Sequence, residues 1–207
     1  LRTILCGASP LDGGDVRIDG KSIRKMKEYH RYATMGRVHQ NPSLGTSPNL
    51  TRLENLSLAD NKGKAFGLGF GVNKKRIDFY RSELAALGLG LEDKLDVKMG
   101  ALSGGQRQAV ALLMATMTPL KFLILDEHTA ALDPKTAETI MVLTGKVVKE
   151  KGLTALMVTH NLRYAVEYGD RLLMLDHGKI VLDRAGEAKA ATSPEALLAI
   201  FNRYSVM

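Results

Sequence analysis

Four apolar side chains in a row, Phe122-Leu123-Ile124-Leu125, end at two carboxylates, Asp126-Glu127. A half-buried strand alternates apolar with polar residues. An unbroken short run between helical patterns instead describes a strand covered on both faces, as in a parallel sheet. A second run, Ala155-Leu156-Met157-Val158-Thr159, follows a helical stretch over Lys135 to about Lys149. Strand and helix alternating in this way predict an α/β fold with a mostly parallel sheet. Sheets of this kind bind ligands beyond the carboxyl ends of their strands, so Asp126 and Glu127 stand where a ligand belongs. One acid at that point can hold Mg²⁺ through water while its neighbour polarises an attacking water.

Leu1–Gly7 reads as the last turns of a helix closed by Gly7, whose missing Cβ admits the left-handed conformation. An alternating strand over Asp15–Gly20, a basic helical stretch over Ser22–Tyr32 and a strand near Met35–His39 follow. Pro, Ser, Gly and Asn then mark a loop from Asn41 to Leu50. Ile77, Tyr80, Leu84 and Leu87 recur at helical spacing and stop at Gly88. Later come a helix over about Gln106–Met117, a short helix near Leu162–Tyr168, and a hairpin pairing Arg171–Asp176 with Lys179–Asp183. The longest apolar run, Ala109–Ala115, is far below the ~18 residues of a membrane span. A single cysteine, Cys6, allows no intrachain disulfide.

Leu102-Ser103-Gly104-Gly105-Gln106 leads straight into the apolar helix. Ser103 and Gln106 have capping-box spacing, and the two glycines leave N–H groups uncovered at a positively polarised helix N-terminus, an anion site suited to phosphate.

With these strings the sequence resembles the ATP-binding cassette (ABC) ATPases over essentially its whole length. Ser103–Gln106 is similar to their signature, Phe122–Asp126 to their Walker B strand, and Ala131-Leu132-Asp133 to their D-loop. The resemblance implies a P-loop NTPase-type, mostly parallel sheet with an inserted helical subdomain and an N-terminal antiparallel β element. Residues 1–207 would form one domain, incomplete at its N-terminus. Within it, 1–40 and 118–207 would be the nucleotide-binding core lobe, and 41–117 the Q-loop and helical subdomain. Glu127 and His160 become the catalytic residues. Gln40, Ser103, Gly104, Gly105, Gln106, Asp126 and Asp133 become contacts to ATP, with Asp126 and Gln40 also serving Mg²⁺.

Two positions depart from the family pattern: His128 stands where Pro is usual, and His39 where an aromatic residue precedes the glutamine. By the resemblance His128 lies near the nucleotide. No G-x-x-x-x-G-K-S/T string occurs, and Gly20-Lys21-Ser22 reads as a turn. The expectation is that the first strand and phosphate loop precede Leu1, and that residues 1–207 alone hydrolyse negligible ATP.

The implied partners are a second ATPase subunit in a head-to-tail homodimer, transmembrane permease subunits and an extracytoplasmic substrate-binding protein, but no nucleic acid. The implied place is the cytoplasmic face of the cell membrane, as a peripheral subunit. The strings Gly45–Thr51 and Asp126–Thr136 resemble a bacterial group of amino-acid (tryptophan/tyrosine-like) importer ATPases. A soluble ABC ATPase acting on nucleic acid or ribosomes, and a non-catalytic interaction module, are the alternatives. The net charge of +7 is concentrated between Lys62 and Arg81, where six basic residues face one acid, Asp78. By the resemblance this segment lies on the membrane-facing lobe, where anionic headgroups attract such a patch and the Phe66–Phe70 loop dips toward the interface.

Overall fold

A computed structural model describes residues 1–64 and 71–205. The Phe66–Phe70 loop lies outside them. The chain divides into two units, Leu1–Met157 and Val158–Met207.

In the first unit, α1 (Arg2–Cys6) ends at Gly7, whose φ of 89° lets its N–H and that of Ala8 close back on Ile4 and Thr3 carbonyls. β1 (Arg17–Ile18) and β2 (Lys21–Ser22) pair antiparallel through a two-residue turn. Asp19 and Gly20 both take positive φ, 51° and 75°, as a tight hairpin requires. Gly20-Lys21-Ser22 is thus a turn running into a strand. The basic stretch after it is helical only over α2 (Glu28–Tyr32), shorter than expected, because Ser22 belongs to the hairpin, Ile23 N bonds to the Val16 carbonyl, and a turn closed by Met26 N on Ile23 O follows.

β3 (Met35–Val38), β4 (Phe122–Asp126) and β5 (Thr154–Val158) form one sheet in the order β3-β4-β5, with β3 parallel to β4. Both faces of β4 are covered. Leu123 and Leu125 pack with Val38 and Leu112, while Ile124 packs on the other side with Cys6 and Met35. This is the physical content of the unbroken apolar run.

Between β3 and β4 lie α3 (Arg52–Asp60), α4 (Ile77–Ala85) and α5 (Gly104–Thr116). Thr51 and Glu54 make a reciprocal capping box at the start of α3, a helix the apolar periodicity does not reveal. Tyr80 and Leu84 of α4 join Leu56, Val110 and Leu113 in one core. The neighbouring side of α5 sends Leu112 into the sheet core. Serving two cores leaves α5 buried on nearly all sides. After β4, Asp133 caps α6 (Pro134–Glu150), accepting from Thr136 N at 3.0 Å.

The second unit holds α7 (Leu162–Glu167), the hairpin β6 (Arg171–Asp176) and β7 (Lys179–Ala185), α8 (Gly186–Ala190) and α9 (Pro194–Ser205). The hairpin register runs from Arg171↔Ala185 to Asp176↔Lys179, with an irregularity at Met174/Leu175. α7 packs on α9, and Tyr164 and Leu197 are buried. No helix among the described residues is long and apolar enough to cross a membrane.

Candidate functional site

The register Val38↔Leu125 brings the exits of β3 and β4 to one edge of the sheet, so His39-Gln40 leave one strand where Asp126-Glu127 end the other. Gln40 is exposed and Asp126 is buried. Arg37 Nη2 donates to Asp126 Oδ2 at 2.8 Å, and Arg2 of α1 donates to Oδ1. Burial raises the Asp126 carboxyl, but the Arg37 and Arg2 bonds and charges outweigh it and hold the group below the usual carboxylate range. Beside it, burial and then the Arg37 charge push the His39 imidazole down.

Glu127 is in the left-handed region, φ 47°, one of three non-glycine residues there among the described residues. A long side chain is uncommon in that conformation, which concentrates at functional sites and costs about 1–3 kcal/mol. The turn beyond it is closed by Ala130 N on Glu127 O (2.9 Å) and Leu132 N on Thr129 O (3.2 Å). His128 turns inward: it is 2% exposed, and its Nε2 lies 3.1 Å from Thr144 Oγ1 of α6. Burial holds that imidazole down to about 4, so it is neutral at pH 7.

The signature string forms the expected box at the start of α5. Gln106 N donates to Ser103 Oγ (3.3 Å) and Ser103 N to Gln106 Oε1 (3.2 Å). Gly104 is exposed and Gly105 buried. Gly105 has a packing reason of its own, since a Cβ there would stand 2.2 Å from Thr136 Cγ2 of α6. Asp133 is occupied as the cap of α6, and the bonds to Thr136 draw its carboxyl down. His160 belongs to the second unit, two residues past the end of β5, and is exposed.

Three residues that the motif reading passes over join these parts. Arg37 is a charged residue within the otherwise uncharged strand Met-Gly-Arg-Val, a signal present in the sequence. Gln108, fully buried, donates Nε2 to the His39 carbonyl at 3.0 Å, and its Oε1 finds no partner among the described residues. Arg107 Nη1 reaches Ser43 Oγ at 3.3 Å. The first turns of α5 are therefore bonded to the segment that carries Gln40.

The basic segment is drawn inward at two of its six basic residues, Lys62 and Arg76. Lys62 Nζ turns inward to the Met35 carbonyl (2.6 Å), and burial lowers its amine to about 8. Asp60 gathers Arg76 (Nη2–Oδ1 3.2 Å), Lys64 (3.6 Å) and the Tyr80 hydroxyl (3.0 Å), and the Arg76 guanidinium stacks 4.0 Å over Phe79. Lys64, Lys74, Lys75 and Arg81 remain exposed.

Asp126 and the Gln40 amide carbonyl are hard oxygen donors that suit Mg²⁺. Among the described residues no group of three or more His, Cys, Asp or Glu could hold a metal ion. An ion bound through one carboxylate, water and the phosphates of a substrate, the usual habit of Mg²⁺, would take the place of Arg2 or Arg37 on Asp126.

A strand-exit acid pair, a glycine-bearing capped helix and a sheet covered on both faces define a nucleotide-hydrolase type of fold, and comparison with known proteins makes the class definite. The family described as "ABC transporter" matches residues 1–130, and this chain belongs to it. Among curated relatives it is 45% identical over 201 residues to a tyrosine transport ATP-binding protein of Clostridioides difficile (strain R20291), covering 97% of this chain and 80% of that protein. It is 35% identical to the thiamine import ATP-binding protein ThiQ of Vibrio parahaemolyticus serotype O3:K6 (strain RIMD 2210633), covering 98% and 82%. A solved ATP-binding cassette in its ADP conformation is 25% identical with a TM-score of 0.76, over 97% of this chain and 81% of that one. A dimeric cassette in a post-hydrolysis state, bound to ADP and Pi, is 29% identical with a TM-score of 0.70, over 88% and 78%.

Proposed function

We propose that the intact protein is the ATP-hydrolysing subunit of a bacterial importer for a small solute. The observation that carries the reading is Glu127, an acid held in a strained conformation at the exit of β4 beside the buried Asp126. Glu127 orients the attacking water and takes its proton; such a base typically supplies 10²–10⁴-fold in rate. Asp126 and Gln40 would hold Mg²⁺, which would neutralise charge developing on the phosphates. His160 contacts the γ-phosphate. Ser103, Gly104, Gly105, Gln106 and Asp133 serve the nucleotide of a second copy in a head-to-tail homodimer, so hydrolysis waits for closure. The relative solved as a dimer with ADP and Pi supports that arrangement.

The subunit works at the cytoplasmic face of the membrane, and transmembrane permease subunits and an extracytoplasmic binding protein complete the assembly. The names of the tyrosine and thiamine relatives support a small-solute cargo. Against action on nucleic acid stand the names of the tyrosine transport and thiamine import relatives. Residues 1–207 contain no phosphate-loop string, and by themselves they are expected to turn over no measurable ATP. In the intact protein, Glu127→Gln is expected to lower kcat by about 10²–10⁴ while leaving ATP binding in place. Unchanged turnover would refute the assignment of the base.

A further inference from the structure

His128 is among the largest fully buried side chains, and it follows directly on the strained Glu127. Among the described residues its polar contact is Nε2 to Thr144 Oγ1, 3.1 Å. The Thr144 hydroxyl donates its proton to the Ile140 carbonyl at 2.7 Å. An oxygen that has given its proton away meets the imidazole as an acceptor, so the bond runs from Nε2–H to Oγ1 and fixes the tautomer. Thr144 is itself 3% exposed and sits on α6, eleven residues beyond the cap Asp133 or about 16 Å along the helix. The turn from Glu127 to Asp133 is thus held at two places: by the chain, where it enters α6, and by the imidazole, deep on the flank of the same helix.

We propose that His128 is a positioning residue for Glu127. The His128–Thr144 bond anchors the peptide that follows the base, keeps its backbone in the left-handed conformation, and so fixes where the carboxylate points. A left-handed glutamate relaxes toward the broad allowed regions unless its neighbours prevent it. The neighbour on one side is Asp126, held by β4; on the other it is this imidazole. The inference rests on Glu127 being the general base.

The test uses the intact protein with three variants, Thr144→Val, Thr144→Ser and Glu127→Gln, read by kcat, KM and equilibrium nucleotide binding. Valine keeps the shape of Thr144 and removes the acceptor, whereas serine keeps the acceptor. Thr144→Val is expected to lower kcat about 10–100-fold, since small misplacements of a catalytic group are that costly. KM and nucleotide binding stay within about twofold, and Thr144→Ser restores most of the rate. A Thr144→Val protein that melts earlier yet turns over at the wild-type rate overturns the proposal. If Glu127→Gln is inactive while Thr144→Val is normal, the anchor alone is wrong. If Glu127→Gln is fully active, the assignment of the base falls, and the anchor with it. Should Thr144→Val not fold, nitrogen NMR of the wild-type imidazole decides: an Nε2–H tautomer with a slowly exchanging proton is expected, and an Nδ1–H tautomer overturns the proposal.

Discussion

Gly105→Ala sets two effects of comparable size against each other. Within a helix, alanine is favoured over glycine by roughly 0.8–1.0 kcal/mol. Against this, the added Cβ would stand 2.2 Å from Thr136 Cγ2, with Thr136 Cβ at 3.6 Å and Oγ1 at 3.9 Å. Thr136 has little room to yield. Its side chain is branched at Cβ and stiff, and its backbone N–H is held by Asp133 Oδ1 at 3.0 Å. Forcing one methyl into a packed contact costs about 1–3 kcal/mol, and an approach of 2.2 Å to a stiff side chain belongs to the upper half of that range, so the clash wins and the net loss is about 1–2 kcal/mol. Gly104→Ala meets only Leu132 Cδ2 at 3.5 Å, an ordinary contact, and is neutral or slightly stabilising. Urea unfolding followed by circular dichroism measures both, and for a chain of this size each kcal/mol moves Tm by about 2–4 °C. The decisive variant is the double one. Thr136→Ala removes Cγ2, leaving Cβ as the nearest atom, so it recovers most of what Gly105→Ala loses, a coupling of about 1–2 kcal/mol. A Gly105→Ala protein as stable as wild type, or a double variant with no recovery, would refute the packing argument.

Two further outcomes follow from buried cations. Arg31 is 6% exposed and donates to four main-chain carbonyls, those of Ile4 (2.8 Å), Leu5 (3.1 Å), Arg24 (3.1 Å) and Met26 (3.0 Å). Arg31→Ala leaves all four without this donor and is expected to cost on the order of 3 kcal/mol in urea unfolding, with Arg31→Lys rescuing little because an ammonium lacks the fork. Lys62 titrates near 8 when folded against 10.5 as its ordinary value. Between these values the unfolded chain holds the extra proton, so stability climbs as pH rises from 8 to 10.5. Lys62→Met is expected to flatten that climb relative to wild type, and parallel stability–pH curves for the two proteins would contradict the burial of this amine.

Local chemistry made much of this molecule readable in advance. The apolar run before Asp126, the box at Ser103–Gln106 and the hairpin at His177-Gly178 each declare themselves within a few residues. The α3 helix could have been read from the Thr51–Glu54 box, although its apolar pattern is weak and its buried face includes Arg52, Asn55, Ser57 and Asp60. What stayed hidden depends on residues far apart in the chain. Lys62 looks like a surface charge until Met35 is folded beside it, and Gly105 looks like a bare phosphate contact until Thr136 arrives 31 positions later. His128, a substitution within a familiar string, gives no hint that its partner is Thr144. Motifs record which groups chemistry requires, whereas the contacts that aim those groups are set by tertiary packing.

The bonds from α5 to the segment after β3 have a kinematic meaning. Gln108 grips the His39 carbonyl and Arg107 grips Ser43, one on each side of Gln40. Sliding the segment past the helix would leave a fully buried amide and a carbonyl without each other, a cost of roughly 1–3 kcal/mol before any packing is lost. The exposed Gln40 and the exposed face of Ser103-Gly104 therefore belong to a single rigid link. A push on either end is delivered to the other as displacement rather than absorbed as slack.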